Sequence, residues 1–376
     1  MIKLRSIWIN GSLLASTILI SVVLGELLAR LILNPVNYLN PTLTKDDHLV
    51  HKIEGGTGGH DDWGFRNFER PITADIVAIG DSMTYGMAAR AEESYPLVLG
   101  RLSGQNVYNM GLGGYGPLQY LHLLRTKALE LKPTTVIVGF YFGNDVMDAF
   151  NTAHGLEYWS RFSTRQFDSA PTQRVRSDAS TDGKLFGTLR DWLSRNSVLY
   201  RAFTSLPLFD VFRENQFKRL ASNTIEATFG GRRMLFSYQE PTVYLDLTDE
   251  RAKEGMRITE AAFREIAETG RQKGIQILVV MFPLKESVYE EYLKQSVDAP
   301  GVDRLLISIK HEMQIKQRLL TLFNQEGIDH LDLLPALRQA NQLRDVFPLS
   351  DTHPNANGYV AIAASVNRAL KSHSSR

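Results

Sequence analysis

The sequence predicts an α/β protein: a central parallel sheet with helices on both faces, preceded by one transmembrane helix. Three observations carry this. Short, continuous apolar runs alternate with helical patterns from about residue 71 onward. Those runs end at turn residues and carry no polar alternation, as strands buried on both faces require. Ahead of them, Ile7 to Gly25 contains no charged residue.

That first stretch is about 19 residues long, close to the roughly 20 that cross a bilayer as a helix. Lys3 and Arg5 precede it, so the positive-inside rule puts the N-terminus in the cytoplasm and the remainder outside. Residues 1–33 are therefore expected to form an uncleaved single-pass anchor in the cell inner membrane, with the rest on the periplasmic or extracellular side. A cleaved signal peptide is the competing reading, but Val23-Leu24-Gly25 is a weak cleavage match. Residues 34–70, with Pro35, Pro41 and the run Gly55-Gly56-Thr57-Gly58-Gly59, read as a polar stalk and lead-in to an α/β domain at 71–376.

Five runs read as strands. They are Ile76–Ile79 before Gly80, Asn106–Met110 before a glycine cluster, Thr135–Tyr141 before Gly143, Ile275–Phe282 before Pro283, and the weaker Ile328–Leu333. Helices fill the gaps. One opens at Pro117, whose fixed φ suits a first turn, and continues through Leu121, Leu124, Ala128 and Leu131. Others are expected at Arg251–Lys273, stopped by Gly274, and at Gly358–Leu370. Alternating strands and helices imply a parallel sheet, whose ligands bind beyond the strands' carboxyl ends. Roughly 110 residues between the third strand and the helix at Arg251 far exceed an ordinary loop. Residues 151–250 are thus an insertion, read either as a cap over the sheet's active edge or as a packing elaboration, with 185–215 amphipathic and helical.

Composition narrows the chemistry. The 376 residues hold 42 basic and 41 acidic side chains, for a net charge of +1, which argues against nucleic acid as a partner. There is no cysteine, which excludes disulfides, thiolate metal sites and a cysteine nucleophile. His48, His51 and His60 lie among Asp46, Asp47, Asp61 and Asp62, but without regular ligand spacing, so neither a metal nor a cofactor is expected.

The chemistry-bearing residues sit at strand ends. Ser82 in Gly80-Asp81-Ser82-Met83-Thr84 follows the first strand and projects a hydroxyl into the crevice. Thr84 stands where the G-x-S-x-G elbow has its second glycine, so this is not that elbow. His353 in Asp351-Thr352-His353-Pro354-Asn355 precedes the last helix; Asp351, two residues away, can orient its ring. Oxyanion donors have two sources: the backbone of Gly111-Leu112-Gly113-Gly114-Tyr115-Gly116, and Asn144 in Gly143-Asn144-Asp145. Gly111, Gly113 and Gly116 also spell G-x-G-x-x-G. Against a dinucleotide loop, Pro117 removes an N–H that would face the pyrophosphate, and no acid ends the next strand.

These four blocks, G-D-S, N-x-x-x-x-G, G-N-D and D-x-H-P-N, stand in the order typical of SGNH (GDSL-like) hydrolases, which the chain resembles over about residues 74–150 and 275–370. The resemblance implies a flavodoxin-like three-layer sandwich, Ser82 as nucleophile and His353 as general base. It implies an oxyanion hole from the Ser82 N–H, the Gly114 N–H and the Asn144 side chain; Gly114 stands five residues after Asn109, as in the family segment. The commoner family spacing is Asp-x-x-His, and Ser350 occupies that acid position here. The D-x-H spacing is similar to that of membrane-linked polysaccharide acetylation enzymes, which keeps Asp351 as the acid. Asp62-Trp63-Gly64-Phe65-Arg66-Asn67 and Phe282-Pro283-Leu284-Lys285-Glu286 also resemble membrane-anchored members. Lys285 is read either as a possible substrate contact or as a plain helix-start residue. The expected function is a serine esterase acting on O-acetyl or other acyl esters of envelope or exported polysaccharide, with envelope polysaccharide machinery as a possible partner. The alternatives are an O-acyltransferase to a sugar hydroxyl, a lipase or thioesterase, and a non-catalytic glycan-binding component.

Overall fold

The structure, a computed structural model, describes residues 2–164, 167, 184–206, 224–229, 232–237, 243–296 and 299–374. A long helix, α1 (Ile2–Ile32), leads into a two-stranded antiparallel hairpin, β1 (Leu43–Asp46) and β2 (Val50–Ile53). The α/β domain then begins with β3 (Ile76–Gly80), the one-turn helix α2 (Ser82–Tyr85), α3 (Tyr95–Ser103) and β4 (Val107–Gly111). Next come α4 (Pro117–Leu123), β5 (Thr135–Tyr141) and α5 (Asp145–Gly155). The insertion contributes α6 (Lys184–Asn196), α7 (Val198–Thr204) and a hairpin of β6 (Thr224–Phe229) and β7 (Arg232–Ser237). The chain returns through α8 (Glu250–Lys273), β8 (Gln276–Phe282), α9 (Lys285–Val288), α10 (Glu290–Lys294) and α11 (Val302–Glu326). It ends with β9 (Asp329–Asp332), α12 (Leu334–Leu343) and α13 (Ala356–Ser374).

The main sheet is parallel throughout, in the order β4-β3-β5-β8-β9. Every residue of β3 and β5 is buried, the physical reason these strands read as unbroken apolar runs. Helix α13 packs on α3 and α12, whereas α8 packs on α4, α5 and α11. These two groups are the outer layers of a three-layer α/β sandwich. All five expected strands are present, displaced by at most a residue or two at their ends. Asp249 caps α8 by accepting from the Arg251 N–H, and Gly274 closes it in the left-handed region at φ 66°.

Two expectations change. Residues 34–70, expected as a stalk and lead-in, pack onto the domain: Leu49, Ile53 and Phe65 belong to the main core cluster. The segment looked like a stalk because its polar residues are buried in mutual hydrogen bonds. Tyr108 Oη and Asn67 Nδ2 donate to Asp61 Oδ2, and Asn67 Nδ2 also donates to the Asn109 carbonyl. The insertion, in turn, divides between two places. Its β6–β7 hairpin joins the main core through Ile225, Met234 and Phe236, while Val198 of α7 packs with Ala29 of α1 and Leu39. Of the helical stretch expected at 185–215, residues up to 206 are α6, α7 and the turn after them; 207–215 lie outside the described residues.

Gly255 sets the closeness of α8 to α5. A Cβ there would lie 2.2 Å from the Val146 carbonyl oxygen and 3.2 Å from Phe150 Cβ. Alanine is favoured over glycine in a helix by about 1 kcal/mol, yet overpacking a fixed backbone costs about 1–3 kcal/mol. Gly255→Ala is therefore expected to lower the thermal unfolding midpoint measured by circular dichroism. A raised midpoint would show that the two helices separate at no cost.

Candidate active site

Ser82 is the first residue of α2, immediately beyond β3. The chain turns back so tightly there that a Cβ on Gly80 would lie 2.1 Å from Thr84 Oγ1. Asp81 is fully buried and caps α2, accepting from the Met83 N–H at 2.9 Å. Burial pushes its carboxyl up to about 6, against the opposing pull of the Met83 N–H and the His353 charge. Its Oδ2 lies 3.4 Å from Ser82 Oγ, which matches a bracing role better than a base.

His353 arrives from the far end of the chain. After β9, at the opposite edge of the sheet, the chain returns through α12 and the loop ahead of α13. Tyr359 of α13 donates to the Met87 carbonyl at 3.0 Å, which ties that helix to the loop following Ser82. The result is a continuous hydrogen-bonded chain: His353 Nε2 lies 2.8 Å from Ser82 Oγ, and His353 Nδ1 lies 2.6 Å from Asp351 Oδ1. The same Asp351 oxygen accepts from the His353 backbone N–H at 2.9 Å, so the one-residue spacing fixes ring and main chain together. Burial alone would raise the Asp351 pKa; the hydrogen bond and charge of His353 outweigh it and hold the group below the usual carboxylate range.

The glycine cluster lies beside this chain. Gly114 adopts φ 80°, a conformation that favours glycine, and a Cβ on Gly113 would lie 3.6 Å from Ser82 Cβ. Cβ atoms on Gly111 and Gly116 would instead strike Thr84–Tyr85 and Asp148. Those two glycines serve internal packing, and a dinucleotide loop finds no support. Asn144 follows β5 and donates through Nδ2 to Asp148 Oδ2, which orients its amide. Asp145 is fully buried, accepting from Tyr120 Oη and the Tyr141 N–H. Burial, with the charges of Asp81 and Asp148, raises its pKa well above the ordinary value.

Lys285, expected as a possible substrate contact, has no exposed surface. Its ammonium lies within 3.1 Å of four backbone carbonyls, those of Leu235, Pro348, Leu349 and Asp351. Burial lowers its pKa to about 8, with Glu286 and Asp351 opposing. A buried cation demands such a cage, and this one holds the strand β7 against the loop that carries Asp351 and His353. Leu235 N–H donates to the Leu349 carbonyl across the same junction.

Two neighbours that the sequence did not assign to the site, His51 and Arg66, lie beside it. His51 of β2 lies 3.0 Å, through Nε2, from the Gly113 carbonyl oxygen. A carbonyl only accepts, so Nε2 carries the proton, and burial depresses the ring's pKa. Arg66 donates to the carbonyls of Gly86 at 2.7 Å and Ala89 at 3.0 Å, clamping the loop after α2. His48 stacks on His122, and His60 bridges the Thr57 carbonyl and Tyr85 Oη. The three histidines of the lead-in thus serve three separate contacts.

Residues 228–375 match the family model of the SGNH hydrolase-like domain, acetyltransferase AlgX. No curated protein sequence matches the chain. Among solved structures, the chain is similar to a protein of the lipolytic G-D-S-L family from Desulfitobacterium hafniense. Identity is 15% and the TM-score 0.38, over 78% of this chain and 98% of that one. It is also similar to a catalytic mutant of the acetylxylan esterase Axe2 from Geobacillus stearothermophilus. There identity is 12% and the TM-score 0.38, over 79% of this chain and 94% of that one. Likenesses of this size assign no chemistry. The match to the SGNH hydrolase-like domain covers 228–375, the part of the chain that carries Asp351 and His353, and the parallel sheet is that of an α/β fold.

Proposed function

We propose that this protein is a serine esterase that removes O-acetyl groups from a cell-envelope or exported polysaccharide. The observation that carries the reading is the Ser82–His353–Asp351 chain at 2.8 and 2.6 Å, seated beyond the carboxyl end of β3. In the acylation step His353 Nε2 takes the Ser82 proton as Oγ attacks the ester carbonyl. Asp351 stabilises the resulting imidazolium. The oxyanion is received by the Ser82 and Gly114 N–H groups and the Asn144 amide, and losing one such donor typically costs 10²–10³ in kcat. The imidazolium then protonates the departing sugar oxygen. Water, deprotonated by His353, attacks the acyl-Ser82 ester; the acyl–Oγ bond breaks, the imidazolium returns its proton to Ser82 Oγ, and acetate leaves. Placement outside the membrane follows from reading the apolar helix Trp8–Ile32 as an anchor.

A second reading is an O-acetyltransferase, favoured by the acetyltransferase named in the matching family's description. The chemistry differs only in the final acceptor, a sugar hydroxyl in place of water.

Within the proposed site His51 is a positioning residue. The Gly113 carbonyl and the Gly114 N–H belong to one trans peptide unit, so the His51 bond holds that plane and aims the N–H.

The first test uses detergent-solubilised full-length protein and p-nitrophenyl acetate, butyrate and octanoate. Acetyl-selective turnover should fall at least about a thousandfold in Ser82→Ala. Octanoate preference would favour a lipase. Absence of serine-dependent turnover on every ester, from folded protein, would favour transfer to a sugar acceptor or glycan binding. In the same assay His51→Ala should lower kcat about ten- to a hundredfold with KM little changed, and His51→Gln, which keeps an N–H donor, should recover most of it. Equal KM and kcat losses, or no loss, would remove His51 from the site.

A further inference from the structure

We propose that the insertion helices α6 and α7 lie in the headgroup–acyl boundary of the bilayer that α1 spans, so that α1 is a rigid strut rather than a loose tether. The inference rests on reading α1 as a membrane anchor. It goes beyond that reading because it gives the insertion a ligand, the lipid surface.

The first observation is how α1 meets α7. Glu26 lies within the apolar window Trp8–Ile32. Its carboxylate accepts from Ser197 Oγ at 2.8 Å and from the Val198 and Leu199 N–H groups at 3.0 Å each. A carboxylate there satisfies donors that the first turn of a helix otherwise leaves open, and it complements the positive end of the helix. Arg30, one turn on, donates to the Asn196 carbonyl and pairs with Glu26. Val198 is buried against Ala29, and Arg201 of α7 donates to the Tyr38 carbonyl at 2.8 Å. This is a built joint: both charged side chains in the outer part of α1 are spent on the N-terminus of α7.

The second observation is depth. A Cβ on Gly25 would lie 3.1 Å from Leu199 Cδ2, so Leu199 sits level with Gly25. At 1.5 Å per residue, Gly25 is about 26 Å along the helix from Trp8, against a hydrocarbon core about 30 Å thick. If Trp8 marks the inner boundary, Leu199 reaches the outer one.

The third is composition. Leu199, Phe203 and Leu206 recur at i, i+4 and i+7, and stay 37%, 58% and 41% exposed. Leu189 and Trp192 of α6 are 54% and 59% exposed, beside exposed Arg190 and Arg195. Aromatic and aliphatic side chains with arginines at the edge suit the boundary between acyl chains and phosphate headgroups. Continuity with the flank of α1 favours lipid over a second protein as the occupant.

The absence of cysteine makes the test direct. Single cysteines replace Leu19, Trp192, Leu199, Phe203 or the distant, exposed Leu343, in the full chain reconstituted in phosphatidylcholine–phosphatidylglycerol vesicles. Each carries an environment-sensitive fluorophore, and lipid-borne nitroxides serve as quenchers. Blue-shifted, lipid-quenched emission at 19, 192, 199 and 203, with water-like emission at 343, is the expected result. Adding Glu26→Ala should reduce quenching at 199 and leave it unchanged at 19. Quenching at 19 with water-like emission at 192, 199 and 203 overturns the proposal and leaves the anchor intact. Blue-shifted emission that lipid nitroxides do not quench assigns the surface to a protein partner and likewise overturns it. Water-like emission at 19 overturns the anchor reading and the proposal together.

Discussion

A buried ammonium must be solvated by the protein itself, and the site is organised around that constraint. Lys285 follows β8 directly, with no exposed surface, and its charge is met by backbone carbonyls from β7 and from residues 348–351. The loop bearing Asp351 and His353 begins at the far edge of the sheet from β4, and nothing in the sheet's ladder reaches it. The caged cation supplies an anchor at one end. Asn355, whose side chain donates to the Asp345 carbonyl, and Tyr359, bound to Met87, supply it at the other. Between those anchors the His353 ring is held within hydrogen-bonding distance of Ser82 Oγ. In the proposed mechanism an imidazole misplaced by about 1 Å would lose much of the advantage of a positioned base, so the anchoring matters as much as the residues it presents.

The lead-in segment plays the same part from the opposite side. Arg66 fixes the loop after Ser82, the Asn67–Asn109 pair ties the lead-in to β4, and His51 holds the glycine loop by its carbonyl. A serine two residues past a strand buried on both faces has its main chain defined by the sheet. Glycine loops have no such constraint; here His51 braces the one at Gly113 and Arg66 the one at Gly86.

Much of this could be read from the sequence. Strands β3, β5 and β8 were visible as unbroken apolar runs because both of their faces are covered. Ser82, Gly114, Asn144 and His353 were visible because each lies in an ordered block, three of them just beyond a strand. What escaped depends on contacts between positions distant in sequence. Lys285 reads as a possible substrate contact or a helix-start residue because its cage comes from residues 50 to 66 positions away. His51 is 62 positions from its carbonyl partner, and Glu26 is 171 from Ser197. The lead-in appeared to be a stalk because buried polar residues that satisfy one another leave no apolar periodicity to detect.

The central claim is that Ser82 is a nucleophile activated by His353, and chemical trapping tests it without knowledge of the substrate. Full-length protein would be treated with an alkyl fluorophosphonate at neutral pH, digested, and mapped by mass spectrometry. The account predicts a single phosphonate adduct on the peptide containing Ser82, absent in Ser82→Ala and formed far more slowly in His353→Ala. An unmodified Ser82 in folded protein, or labelling equally fast without His353, would contradict it.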